Sequence, residues 1–266
     1  MKKTTLIMLL LILCGLLCCC SVNAYTYPDG NRYTAGGAAV TGRVEKLDVS
    51  WIDGSVTIAY HDGSDVRLSE SSARHLDKKD ELRWWLNGGT LYVKYAESGF
   101  HLSSNLNKEL TVLLPRDMQL DTLAINAVSA NVRAEAAVER FTLNTVSGNV
   151  VADASRMESV KADAVSGKVT LEAVCAENVT VNTVSADVTL RCARAPRTVT
   201  ADSVSGHVTI ALPEDAGCTA DMHTVSGRVR GSLALTRNGD RYTCGDGDCR
   251  IDVETVSGDV CLDALK

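Results

Sequence analysis

Hydrophobic and polar residues alternate with a period of two over short stretches of this chain, and from residue 120 onward the stretches return in a fixed order. Each centres on one motif: AVSANV at Ala127, TVSGNV at Thr145, AVSGKV at Ala164, TVSADV at Thr183, SVSGHV at Ser203, TVSGRV at Thr224 and TVSGDV at Thr255. The central serines, Ser129, Ser147, Ser166, Ser185, Ser205, Ser226 and Ser257, are spaced by 18, 19, 19, 20, 21 and 31 residues. A repeat near 20 residues is too short to bury an apolar face alone, so its copies must stack as a solenoid.

Alignment on the serine shows what stacks. Six residues before it stand Leu123, Phe141, Val160, Val179, Val199, Ala220 and Ile251; four before it stand Ile125, Leu143, Ala162, Val181, Ala201, Met222 and Val253. Valine stands three after it in all seven units, and Ala134, Ala152, Leu171, Leu190, Ile210, Gly231 and Leu262 stand five after it. Polar residues lie between, with Asn126, Asn144, Asp163, Asn182, Asp202, His223 and Glu254 forming one outward column. Each unit therefore reads as two short strands joined at Ser-Gly or Ser-Ala. Equivalent strands recur in one direction and pair with their copies about 4.8 Å away, giving a rod about 29 Å long over the seven serines. The expected fold is all-β: a single-stranded parallel β-helix, or solenoid, right-handed by the crossover rule.

The register extends upstream. In LDVSWIDGSVTI, Gly54 takes the place of the repeat glycine, with Leu47, Val49, Val56 and Ile58 facing inward and Trp51 at the threonine position. In ELRWWLNGGTLYV, Gly89 takes that place, with Leu82, Trp84, Leu91 and Val93 inward. Residues 25–120 are thus expected to form irregular, aromatic-rich turns that carry all three tryptophans and cap the open end of the regular helix at 121–266, because an uncovered strand edge invites aggregation.

Composition agrees with a thin core. The 266 residues include 30 valines but two phenylalanines and four prolines. The net charge of −6 gives no broad basic face for nucleic acid. At the N-terminus, Met1-Lys2-Lys3 and the apolar run Leu6 to Leu17 have the layout of a secretory signal peptide over 1–24. Val22-Asn23-Ala24 suits cleavage before Tyr25, whereas Leu17-Cys18-Cys19-Cys20 is similar to a lipobox that leaves Cys20 as a lipidated N-terminus. The chain is therefore expected to be exported to the outer face of the envelope, secreted or lipid-anchored, touching the membrane only through such an anchor.

The succession KLDVSWIDGSVTIAYHDGSDVRLSES, LRWWLNGGTLYVKY, KELTVLLPRDMQLDTLAIN and then TVSG units resembles a bacterial family of proposed adhesins with β-strand repeats, a domain of unknown function. The likeness runs from about Tyr33 to Lys266. It implies an envelope-associated β-solenoid and carries no catalytic residues.

Residues that invite a chemical reading have structural explanations. Ser205 lies near Asp202, His207 and His223 in sequence, but a nucleophile needs one activated copy, and seven equal serines better suit a hydroxyl ladder closing a corner. The Asn/Asp column suits a solvated face with stacked amides, with cation or sugar binding as the alternative. Thr142, Thr180, Thr200 and Thr170, Thr189, Thr209 are interrupted by Lys161, Arg133, Arg230 and Asp221, too irregular for an ice-binding plane. The acidic residues among glycines from Asn238 to Cys249 offer ligands for Ca²⁺ as the alternative, but the run lacks EF-hand spacing and reads as a glycine-rich turn in the expanded repeat. With neither CxxC nor paired His, no zinc motif is visible, and no metal or cofactor is expected.

Six cysteines follow the leader: Cys175, Cys192, Cys218, Cys244, Cys249 and Cys261. In an exported chain they suggest up to three disulfides. Cys218 and Cys249 both stand eight residues before their serine and should stack in adjacent turns; Cys175 can meet Cys192; Cys244 is left for Cys261 or for a small loop with Cys249. Free thiols are the alternative. The functional expectation is a non-enzymatic envelope solenoid, adhesin-like or a scaffold, whose partner is an unknown envelope protein or surface glycan. A polysaccharide-binding or polysaccharide-degrading β-helix is the alternative, disfavoured because most of the repeats leave little room for loops carrying paired carboxylates.

Overall fold

The computed structural model describes residues 24–100 and 106–265, so the leader with Cys20 lies outside the described residues apart from Ala24. Each repeat places one strand in each of two sheets. Sheet I holds Gln119–Ala127, Ala137–Thr145, Met157–Ala164, Asn178–Thr183 and Thr198–Ser203; sheet II holds Asn131–Glu135, Asn149–Asp153, Lys168–Val174, Asp187–Cys192 and Val208–Leu212. Neighbours run parallel with equivalent residues opposite one another, as in Phe141 against Val160 and Val150 against Val169. The chain is a β-solenoid whose two sheets enclose the predicted inward columns. All four columns are buried in all seven units except at Val229 and Gly231. Among the described residues no helix is long and apolar enough to cross a membrane.

The VSG corner closes in two ways. On the outside, the hydroxyls of Ser147, Ser166, Ser205, Ser226 and Ser257 each donate to a valine carbonyl of the adjacent turn, at 3.1–3.4 Å. On the inside, the first residue of the motif is itself buried: Thr145, Ser203 and Thr255 donate to corner carbonyls of their own turn. Glycine follows because the corners nearly touch. A Cβ on Gly167, where φ is +97°, would lie 2.3 Å from the Gly148 carbonyl oxygen. Ala130 and Ala186, which stand at this position elsewhere, avoid positive φ.

Spatial order departs from chain order at the far end. Thr198–Ser203 pairs not with Cys218–Thr224 but with Cys249–Thr255, which in turn pairs with Cys218–Thr224. Sheet II repeats the inversion: Val260–Ala264 lies between Val208–Leu212 and Val229–Arg230. The chain leaves one turn vacant and builds the outermost turn. It then reverses through the antiparallel strands Thr236–Asn238 and Arg241–Cys244 and inserts its C-terminal strands into the gap. This accounts for the final spacing of 31 residues, and for the incomplete burial of Val229 and the exposure of Gly231, which belong to the last turn.

The same device operates at the N-terminal end. Lys46–Trp51 and Ser55–His61 form a full turn directly against the first regular one, with Leu47 opposite Leu123 and Val56 opposite Val132, in the register the sequence predicts. The Gly89 unit is different. Arg83–Asn87 and Thr90–Lys94 are antiparallel neighbours within sheet I, so Gly88 and Gly89, both at positive φ, form a hairpin turn and not a corner. Leu91 and Val93 consequently stack on Leu47 and Val49. In sheet II the cap is Glu109–Pro115, followed by the antiparallel Val66–Ser71 and Ala38–Val40. Antiparallel strands thus replace the parallel stack where it must end, which blunts the edges.

Trp51, Tyr95, Tyr25, Tyr27, Tyr33 and Trp85 form a continuous run of edge-on or tilted ring contacts through this cap. At its base the fully buried Lys108 donates from its ammonium to the carbonyls of Asp80 and Tyr95 (both 2.5 Å) and forms an ion pair with Glu70 (2.7 Å). The rings of Trp51 and Tyr95 flank it at 5.1 and 4.5 Å. The Lys108 carbonyl accepts from the Trp51 indole and from the Ser55 amide, which ties the 106–108 segment across the Gly54 corner. Burial lowers the Lys108 pKa, and Glu70 opposes that shift.

Candidate functional site

The corner serines are engaged structurally. Ser205 donates to the Val184 carbonyl; His207 Nδ1 accepts from the Asp259 amide, and His223 faces Asp240 at 3.3 Å. Asp202 lies on the outer face of sheet I opposite Glu254, so these four residues do not converge on one another. In the outward column, Asn144 donates to Asn126 (2.8 Å) and Asn182 to Asp163 (2.6 Å), while Lys161 pairs with Asp163. The column is an amide ladder until the inserted turn brings Glu254 against Asp202.

That juxtaposition has a measurable consequence. Partial burial, then the nearby Glu254 and Asp252, raise the Asp202 pKa above the ordinary carboxylate value. A raised folded-state pKa means that the carboxyl favours the fold below its unfolded pKa, and that this contribution is lost as pH rises through the folded value. Asp202→Asn is therefore expected to raise stability at pH 7 by about 0.5 kcal/mol, the order of a cross-strand like-charge pair. Urea midpoints should show the gain disappearing below about pH 4, where the carboxyl is protonated in both states. An equal gain at both pH values would show that the charge is not its source.

Asp240 belongs to the reversal between Thr236–Asn238 and Arg241–Cys244, and Asp246 accepts from the Asp248 amide in the turn that follows. Among the described residues, no three His, Cys, Asp or Glu side chains are grouped so as to hold a metal ion.

An extended concave surface lies along the second corner, where the chain passes from sheet II back to sheet I. A groove of about 800 Å³ is lined by Glu139, Arg140, Ser155, Arg156, Met157, Glu158, Ser159, Cys175, Glu177, Asn178 and Arg194. It continues through Ser155 and Arg156 to Tyr60 and Arg116 at one end. Through Glu177 and Arg194 it continues to Arg197 and Asp248 at the other. Its polar floor repeats because Arg140, Ser159 and Asn178 occupy one register position on successive strands. The guanidinium of Arg140 is braced by Glu139 (3.3 Å) and Thr122 (3.4 Å), that of Arg194 by the Cys175 carbonyl (2.6 Å), and that of Arg156 lies 5.5 Å over the Tyr60 ring. Braced guanidiniums beside carboxylates give a surface dense in hydrogen-bond donors and acceptors at fixed positions. The serine repeat gave no sign of it, because its arginines come from turn and strand positions that do not share one column.

The six cysteines among the described residues are all thiols. Cys218 faces Cys249 across the parallel pair and Cys244 across the antiparallel one. Cys192 lies opposite Val174, one residue from Cys175. Cys261 is on the outer side of sheet II, with its thiol against Asp263, and Cys244 is in sheet I; the structure does not bring those two together. Cys244 and Cys249 are separated by the Cys218 strand.

The family model described as Toastrack DUF4097 matches residues 44–190 and again 133–263. No curated protein matches the chain. In overall shape the chain is similar to a proposed cell-adhesion protein of Clostridium sporogenes (13% identity, 87% of this chain and 99% of that one, TM-score 0.41). It is also similar to a proposed adhesin of Bacteroides fragilis (14%, 88% and 97%, TM-score 0.46) and to a proposed lipid-binding protein of Parabacteroides distasonis (12%, 86% and 96%, TM-score 0.42).

Proposed function

This chain belongs to the Toastrack DUF4097 family, and from that premise we propose that it is a non-enzymatic, adhesin-like solenoid, exported to the cell envelope, that presents its second-corner groove to a polar polymeric ligand. The continuous groove from Tyr60 to Asp248 is the observation that carries this reading. A surface glycan suits it: hydroxyls can alternate as donor and acceptor between carboxylates and braced guanidiniums, and a long ligand can gain contacts over several turns. The basic start and apolar run of the leader support export, and Cys20 supplies a lipid anchor if the lipobox is used. In favour of a binding role and against hydrolysis is the engagement of the corner serine hydroxyls with the carbonyls of neighbouring turns.

The test is binding of the full exported chain to a glycan array, with reducing-end release measured in parallel. Binding without turnover is expected. Arg140→Ala combined with Arg194→Ala should weaken it about tenfold or more, since two charged hydrogen-bonding groups are removed, with little change in thermal midpoint. Undiminished binding by that variant would place the site elsewhere, and turnover would make the protein an enzyme.

A further inference from the structure

Three cysteines stand in a row at the far end of the core. In sheet I the strand Cys218–Thr224 has Cys249–Thr255 on one side and Arg241–Cys244 on the other, and the directly opposed residues at its start are Cys249, Cys218 and Cys244. Directly opposed residues share a face of the sheet. Cys249 and Cys218 are buried at 1% and 0% exposure, and Cys244, at the end of the row, is only partly covered. Neighbouring strands hold opposed Cα atoms about 4.5–5.5 Å apart, inside the span of a disulfide. Cys249 and Cys244 are two strands apart, about 10 Å, and cannot bond directly. No strand pairing aligns the remaining cysteines with the row: Cys192, whose thiol interacts electrostatically with Cys249, stands opposite Val174, and Cys261 is on the outside of sheet II.

We propose that this row is a thiol relay, in which Cys244 receives oxidising equivalents from a small-molecule or protein disulfide and passes them through Cys218 to leave a Cys218–Cys249 bond. The Cys244 thiolate attacks an external disulfide RSSR, forming a mixed disulfide and releasing one RS⁻. The Cys218 thiolate attacks the Cys244 sulfur, releasing the second RS⁻ and closing Cys218–Cys244. The Cys249 thiolate then attacks the Cys218 sulfur from the side opposite Cys244, which departs as a thiolate. The in-line arrangement required for exchange is the order of the three residues along the sheet. In sum, two protein thiols and one RSSR give one protein disulfide and two RSH, the two electrons passing to RSSR. Burial pushes the Cys218 thiol up to about 11 and the Cys249 thiol up to about 12, so both internal attacks draw on small thiolate fractions and are slow at neutral pH. The bond clamps the inserted C-terminal strand to the outermost turn, so that the reversal at Thr236–Cys244 cannot withdraw.

The experiment oxidises the reduced full exported chain with glutathione disulfide, quenches samples in acid, and maps them after cleavage before aspartate. That cleavage puts the cysteines on separate peptides, with Cys218 in 215–220, Cys244 in 240–245 and Cys249 in 248–251. The expected result is early glutathione on 240–245, followed by a final cross-link between 215–220 and 248–251. Cys244→Ser should reach the same cross-link about tenfold more slowly or worse. The proposal is overturned if all six cysteines stay alkylatable, if the final bond joins another pair, or if glutathione first appears on 248–251. An unchanged rate in Cys244→Ser also overturns it. Peptide order in the unmodified chain decides the matter even if that variant folds poorly.

Discussion

Ending the chain after Gly247 is expected to destroy the far half of the solenoid, although it removes only the last repeat. In space that repeat is an inner turn, placed between Thr198–Ser203 and Cys218–Thr224. Its inward residues Cys249, Ile251, Val253, Val260 and Leu262 are each at most 1% exposed. At about 2 kcal/mol per buried side chain the loss is about 10 kcal/mol, within the whole stability of a typical domain. The effect should reach both neighbours. Ser226 donates its amide to the Val256 carbonyl, and Val208 donates to Asp259, so both lose their acceptors. Amide exchange should therefore show protection collapsing on either side of the gap. A solenoid stacked in chain order would instead lose an expendable end turn and keep protection at Val208.

The second large effect belongs to the N-terminal plug. Glu70→Ala removes the carboxylate nearest the fully buried Lys108 ammonium, leaving it to Asp80 and Asp53, and should cost about 3 kcal/mol, the low end for a broken buried pair, read as a lower urea midpoint. The double variant Glu70→Leu, Lys108→Met should recover only part of that loss: it removes the buried charge, but also the acceptor of the Leu82 amide and the donor to the Asp80 and Tyr95 carbonyls. The pH dependence has a defined sign. The folded-state pKa of Lys108 lies below its ordinary value, so the cost is fully present below the folded pKa and fades as pH rises through it toward the unfolded value near 10.5. Glu70→Ala should therefore regain stability relative to the parent between neutral and strongly alkaline pH. A uniform deficit at all pH values would trace its cost to packing and not to charge.

The inward columns, the parallel register and the Gly54 turn were legible in the sequence because all three follow from a period of two repeated at a fixed distance. Stacking order was not. Every TVSG unit can pair with every other, so nothing in Ser203 chooses Thr255 over Thr224; only the long final spacing marked a departure. The Gly88–Gly89 hairpin has the sequence pattern of a corner because glycine serves both, and the difference lies in whether the next strand returns to the same sheet. Lys108 gave no signal, since a lysine between Asn107 and Glu109 reads as surface until Glu70, distant in sequence, is brought beside it. The inward threonine of the motif was likewise hidden, because its neighbours alternate as though it were an ordinary strand residue. Of the candidate site, the arginines of the groove belong to no repeat column, and only the corner between the sheets assembles them.

The inserted turn is tested most directly by scalar couplings across hydrogen bonds in the deuterated protein. A coupling is expected from the Val256 amide to the Ser203 carbonyl, and one from the Ser226 amide to the Val256 carbonyl, corresponding to donor–acceptor distances of 3.2 and 3.0 Å. A coupling from the Val225 amide to Ser203, with none from Val256, would mean that the repeats stack in chain order and would contradict the inserted turn.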